Sequence, residues 1–405
     1  MEKNFMRKKI RLRINYEVFF LFFLLFVSIG GGVYFISSIL QPMRIWIPIC
    51  VFFFLYKIKN SVVEKEEKIY IFVFLFYYLY TLIVSIINYN FNDNDLLNFT
   101  MMLFVVCIFF YFVGIDKNSM LQILIKFINI FFFIATLVAL YEIKTRKHLA
   151  ISHVNDWPDW INFMPSTFYA NPNDFVCVFF LFHYIKISVK KDYFKVKKSF
   201  DDILTFILLV IFSIVVGARL VLISIILFEF IYISEKKPLC MFLLVGCIIS
   251  YIFITGIDIK LSSIIAEEFN NHGSNEIRKN LYIQAIHSLT RYDNYYGYGI
   301  NQSCAYFLRE LDPELYTGII RAPHGYVFEI LLNSGPLFFS LLILFQILQT
   351  YIFFKKKMYH CSAYSGSFLI VLFTSATSLY LWPHYLCSCA LLCCLNKKKL
   401  HNMQE

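Results

Sequence analysis

The stretch "IYIFVFLFYYLYTLIVSII" holds no charge and no helix breaker, and runs like it recur along the whole chain. That feature restricts the fold more than any other. Backbone groups in hydrocarbon must bond internally, which leaves only helices or closed barrels. A barrel strand shows about ten residues of apolar–polar alternation, and this stretch shows none. The runs are also too many for one soluble core. Hydrophobic residues make up 59% of the 405, and charged residues 16%; a soluble domain is about 25% charged. The sequence therefore predicts an all-α, polytopic integral membrane protein, with 1–405 forming a single membrane domain.

Twelve spans are expected, at roughly 16–40, 45–56, 69–87, 97–114, 121–143, 175–189, 202–216, 220–233, 239–255, 330–354, 364–380 and 382–395. The first follows the basic "MEKNFMRKKIRLR" and shows no A-x-A-like cleavage site, so it reads as an uncleaved span. The short ones need tilt, local thinning or a re-entrant path. Twelve spans put both termini in the cytoplasm. Inner segments then hold 25 Lys and Arg, and outer segments 11, as the positive-inside rule expects. The net charge of +10 thus belongs to membrane topology, and no nucleic-acid partner is expected. Two outer loops stand out, 144–174 and 256–323. Both are too long for simple connectors, which points to function. No internal repeat supports an inverted-repeat transporter.

Nine of the eleven cysteines fall in expected spans. Cys361 falls in an inner loop, and Cys304 is alone in an outer loop, so no disulfide framework is expected. "CSCALLCC" fits no zinc spacing and suits helix packing. There is no H-E-x-x-H, Walker loop, G-x-S-x-G or spaced outer carboxylate cluster. Neither a metal nor a cofactor is expected.

Four stretches carry polar chemistry at outer positions. In "RAPHGYVFEILLNSG", His324 stands at the mouth of a span that "NSGP" then interrupts at Gly335 and Pro336. A neutral imidazole accepts a proton near pH 7; the plainer role is a helix cap. Arg219 sits in "GAR", a tight turn between two apolar halves, close to hydrocarbon. Its fixed fork of donors suits phosphate, and the plainer role is a snorkelling anchor. "EIRKNLYIQAI" has helical spacing and places Arg278 and Tyr282 one turn apart. In "WPDWINFMPSTFYANPNDF", Asn171 or Asn173 can cap a helix and Asp174 suits its first turn. The same polar and aromatic residues also suit a sugar surface.

These features occur in one order: "STFYANPND", "GAR", "IRKNLYIQA…YYGYGI", then "PHGYVFEILLNSG". That order resembles the O-antigen ligase and polymerase superfamily of bacterial surface polysaccharide assembly, over roughly 166–336. The family shows a G-T-F-x-N-P-N-like turn, an S-R-G-like turn, an R-x-x-x-W-x-x-A-like helix leading to G-x-G, and H-N followed by a later Gly. Here "GAR" stands for S-R-G, Tyr282 for the Trp, and Gly325 for the Asn, and "NFMPSTF" lacks the arginine often found before the first motif.

The resemblance implies a metal-independent glycosyltransferase of the GT-C type, working at the outer face of the cytoplasmic membrane. The donor would be an oligosaccharide on polyprenyl pyrophosphate, and a flippase and a chain-length regulator would be partners. His324 would be the general base. Arg219, Arg278 and Arg321 would hold the pyrophosphate, with Asn171, Asn173 and Tyr282 touching glycan. A polymerase that lengthens a capsule, exopolysaccharide, O-antigen or teichuronic-like chain is the leading expectation. A ligase that moves the glycan to a final acceptor uses the same donor. A flippase would instead need polar groups at mid-membrane in several spans. Lys126, His183 and Glu229 are the few candidates, each towards the cytoplasmic half.

Overall fold

The computed structural model describes residues 21, 24, 25, 28, 65–88, 117–150, 164–169, 171–234, 283, 286, 289, 295–299, 326–371, 391 and 394. Among them are seven α-helices and no strand: α1 Lys65–Ile87, α2 Lys117–Thr145, α3 Pro172–Ser188, α4 Phe200–Val216, α5 Arg219–Ser234, α6 Tyr326–Lys355 and α7 Tyr359–Val371. A π-helical turn, Val189–Tyr193, extends α3. The expected spans at 45–56, 97–114 and 239–255 lie outside the described residues, as do nearly all of 16–40 and 382–395. Asn118–Thr145 and Val327–Lys355 are long and apolar enough to cross a bilayer.

Local chemistry sets the helix ends. Asn171 caps α3 with its side chain on the Asn173 N–H at 2.9 Å, and Pro172 follows where its missing N–H costs nothing. Ser199 and Asp202 form a reciprocal capping box at the start of α4. Gly217 ends α4 in the left-handed region at φ 69°, and the Ala218 N–H closes onto Ser213 O at 2.9 Å. Helix α7 starts at Tyr359, earlier than the expected span, so Cys361 is helical and buried rather than in a loop. Asp192 explains the shift: its carboxylate takes the Cys361 N–H at 2.8 Å and His360 Nδ1 at 2.7 Å, satisfying the first turn.

Helix α3 is the centre. Its residues from Phe175 to Phe182 are wholly buried, against α2, α4 and α7. Aromatic edges dominate the packing: Phe131 meets Phe182 at 5.0 Å, and Phe179 meets Phe212 at 5.6 Å, both edge-on. Around this core, the outer faces are apolar. Helix α1 exposes Phe72, Phe76, Leu79, Ile83 and Ile86 while burying Thr81 and Ser85. Helix α6 exposes Leu337, Leu341, Leu344 and Leu348 while burying Asn333, Ser334 and Gln349. That is the reverse of a helix that faces water.

The contacts sort the helix ends into two groups. One end gathers the starts of α2 and α7 and the end of α3, through Tyr193–Asn118 (2.6 Å), Asp192–His360 and Ser188–His360 O (3.1 Å). The end of α6 belongs there too, since it turns directly into α7. The other end gathers the end of α2, the turn before α3 and the α4–α5 turn, through Glu142–Ser166 (2.8 Å) and Phe175–Phe212 (5.3 Å). The end of α1 meets α6 just past Gly335, through Tyr80–Phe338 (5.0 Å).

Candidate functional site

The first and second motifs share an end of the helical array. The "NPND" turn starts α3 and the "GAR" turn joins α4 to α5; antiparallel α3 and α4 bring them to the same side. Asn171 is spent on its cap, and Asn173 is half-buried in the first turn. Arg219 is the first residue of α5 and exposed, and it makes no ion pair with a described residue. A guanidinium exposed at a helix start is where an anion would gain from both the cation and the dipole.

The turn before α3 is held by a residue outside the four motifs. Glu142, 1% exposed near the end of α2, accepts three backbone N–H groups: Leu149 on Oε1, and Ser166 and Thr167 on Oε2, each at 2.8 Å. His148 Nδ1 lies 3.0 Å from Ser166 Oγ. Thr167 is buried with φ 53°, a conformation costly for a β-branched residue, and its bond to Glu142 fixes it there. A lone acid inside an otherwise apolar run was the available sequence signal for Glu142.

The third and fourth motifs touch. Helix α6 breaks at Gly335, with φ 72° and ψ 167°, which only glycine adopts readily. The break frees carbonyls in the first half. The "YYGYG" turn satisfies them: Tyr298 N–H donates to Leu332 O at 2.7 Å, and Gly299 N–H to Asn333 O at 3.0 Å. The other side of this turn is held by α1. Tyr80 Oη donates to Tyr296 O at 2.9 Å, and Asn88 Nδ2 to Gly297 O at 3.2 Å. A Cβ on Gly297 would meet Asn333 O at 2.6 Å, and one on Gly299 would meet the Ser85 backbone at 2.7 Å. Tyr298 packs against Leu289 and Leu332.

His324, Arg321, Arg278 and Tyr282 lie outside the described residues. Ile283, Ile286 and Leu289, which follow Tyr282 in the third motif, are helical.

The opposite end holds the polar groups that a transport function would use. Lys186 and Asp202, each 1% exposed, pair at 2.9 Å. Lys190 also bonds Asp202, Asn129 bonds Lys186 at 3.0 Å, and His183 Nδ1 meets Thr205 Oγ1 at 3.0 Å. Glu229 takes Lys198 at 3.0 Å and Tyr184 Oη at 3.3 Å. Lys126 is exposed on α2 and joins none of these. The set forms closed pairs at one end rather than a file of groups along the helices.

No family model matches this chain, and no curated protein matches it as a relative.

Proposed function

We propose that the chain is a multi-spanning glycosyltransferase of the cytoplasmic membrane, with about twelve spans in a GT-C-type architecture. It polymerises oligosaccharide repeats carried on polyprenyl pyrophosphate. The apolar side chains exposed along α1, α4 and α6 support a lipid environment, since a water-facing surface of that kind would aggregate. The lysines support the orientation. Lys190, Lys191, Lys195, Lys197, Lys198 and Lys355 to Lys357 all lie at one end of the array, the cytoplasmic one by the positive-inside rule. The motif end then faces outward.

The observation that carries the proposal is the grouping of the motifs. The first and second, set by Asn171 and Arg219, share one end, and the third and fourth interlock through Gly297, Gly299 and Gly335. In the reaction, His324 takes the proton of an acceptor sugar hydroxyl as its oxygen attacks the donor's anomeric carbon. The bond from that carbon to the pyrophosphate breaks, and polyprenyl pyrophosphate leaves. Arg219 and Arg278, assisted by Arg321, stabilise the charge of the leaving group. No step needs a metal, because guanidinium groups neutralise the pyrophosphate.

His324→Ala in the native host, with membrane insertion checked, tests this on a gel of the surface glycan. Loss of long chains with single lipid-linked repeats at the outer face is the expected result. Full-length chains left on the carrier would mean a ligase. Repeats trapped inside would mean a flippase, and an unchanged ladder would remove His324 from the site.

A further inference from the structure

Two tyrosines remain unused by the reaction above. Tyr295 and Tyr296 form the tip of the glycine-rich turn and are 54% and 68% exposed. The backbone of this turn, by contrast, is held from two sides. Tyr80 holds the Tyr296 carbonyl, Asn88 holds the next one, and the two following N–H groups cap the broken half of α6. Three glycines at positive φ make the close approach possible, and a side chain at Gly297, Gly299 or Gly335 would strike backbone. The fold thus presents two aromatic rings on a turn that has little freedom left to lose.

We propose that Tyr295 and Tyr296 are a stacking platform for an uncharged sugar ring of the lipid-linked glycan. The proposal rests on the glycosyltransferase assignment above and adds a binding residue pair to it. Tyrosine offers a flat apolar face to sugar C–H groups and a hydroxyl at its edge, with few rotamers to freeze. A rigid backbone lowers the ordering cost of binding further. Residues 295–299 carry no charged side chain, so the turn suits sugar rather than pyrophosphate, which needs cations such as Arg219. A lipid-interface anchor would also expose tyrosine, but an anchor gains nothing from a backbone fixed on both sides. The turn also sits on the first half of α6, whose Leu332 and Asn333 follow soon after His324 in the chain.

The test uses the full chain in nanodiscs and the oligosaccharide released by mild acid from the host's own surface glycan. Saturation-transfer NMR and a titration read binding without requiring turnover. We expect Y295A/Y296A and Y295L/Y296L to bind about tenfold more weakly or worse, and Y295F/Y296F to stay near wild type, since the ring supplies the contact. Ala or Leu variants that bind like the wild type would overturn the platform. So would a wild type that shows no saturation transfer. A Leu variant that keeps binding while Ala loses nanodisc incorporation would assign the pair to membrane anchoring instead. Failure of the glycosyltransferase assignment shows elsewhere, as an unchanged glycan ladder in the His324→Ala host. Tyrosine-dependent binding would then survive as a glycan site of a different protein class.

Discussion

The two ends of the helical array are built in opposite ways. The basic end is closed by side chains: Lys186 and Lys190 on Asp202, Lys198 on Glu229, and His360 on Asp192. The motif end is closed instead on backbone groups. Glu142 gathers three N–H groups, and a glycine turn caps the broken helix. The difference teaches where charge remains available. At the basic end Lys186, Lys190 and Lys198 are spent on carboxylates, while Arg219 at the motif end stays exposed. A site that must accept a pyrophosphate needs cations that the fold itself has not consumed.

Breaking the basic end should have the largest effect on stability. Asp202→Ala strands buried Lys186 and removes the partner of Lys190, so a loss of about 3–5 kcal/mol is expected in unfolding of the purified protein. Replacing Lys186 and Asp202 together by Met and Leu should recover most of it. If the double change is as damaging as the single one, the pair is more than a clamp.

A smaller loss should follow at the motif end from Gly335→Ala. The backbone at φ 72° and ψ 167° and the close approach of Gly297 both oppose a side chain, at roughly 1–3 kcal/mol. Unlike Asp202→Ala, this change should free the "YYGYG" turn selectively. Hydrogen exchange at Tyr298 and Gly299 would then accelerate while the amides of α3 stay protected. Uniform acceleration would mean that the two ends are not independent.

Asn171→Ala removes one cap and should cost about 1 kcal/mol by the same unfolding measurement. Arg219→Gln sits last on this scale. The side chain is exposed and makes no ion pair with a described residue, so the unfolding midpoint should not move. Yet long glycan chains should disappear from the host. A stability loss as large as that of Asp202→Ala would show that Arg219 is structural and would erase the contrast between the ends.

Much of the scaffold was legible in the sequence because its causes are local. Apolar runs gave the positions of α1 to α6, "NPND" gave the cap at Asn171, and "NSGP" gave the break at Gly335. What stayed hidden depends on partners far apart in the chain. Tyr80 meets Tyr296 across 216 residues, and Asp192 meets Cys361 across 169. The early start of α7 follows from that second pair, so no pattern within 359–371 announces it. Glu142 is hard to single out, since a lone acid in the last turns of an apolar run also occurs at ordinary helix termini. Its role appears only when Ser166 and Thr167 fold back onto it.

The central claim is that the motif end transfers glycan between lipid carriers. The most direct measurement places the purified full chain in vesicles with the host's lipid-linked repeat units and a chelator. Carrier-bound chains should lengthen, and each transfer should release one polyprenyl pyrophosphate, with Arg219→Gln abolishing both. Repeats that cross the bilayer without lengthening, and without releasing the carrier, would contradict the claim.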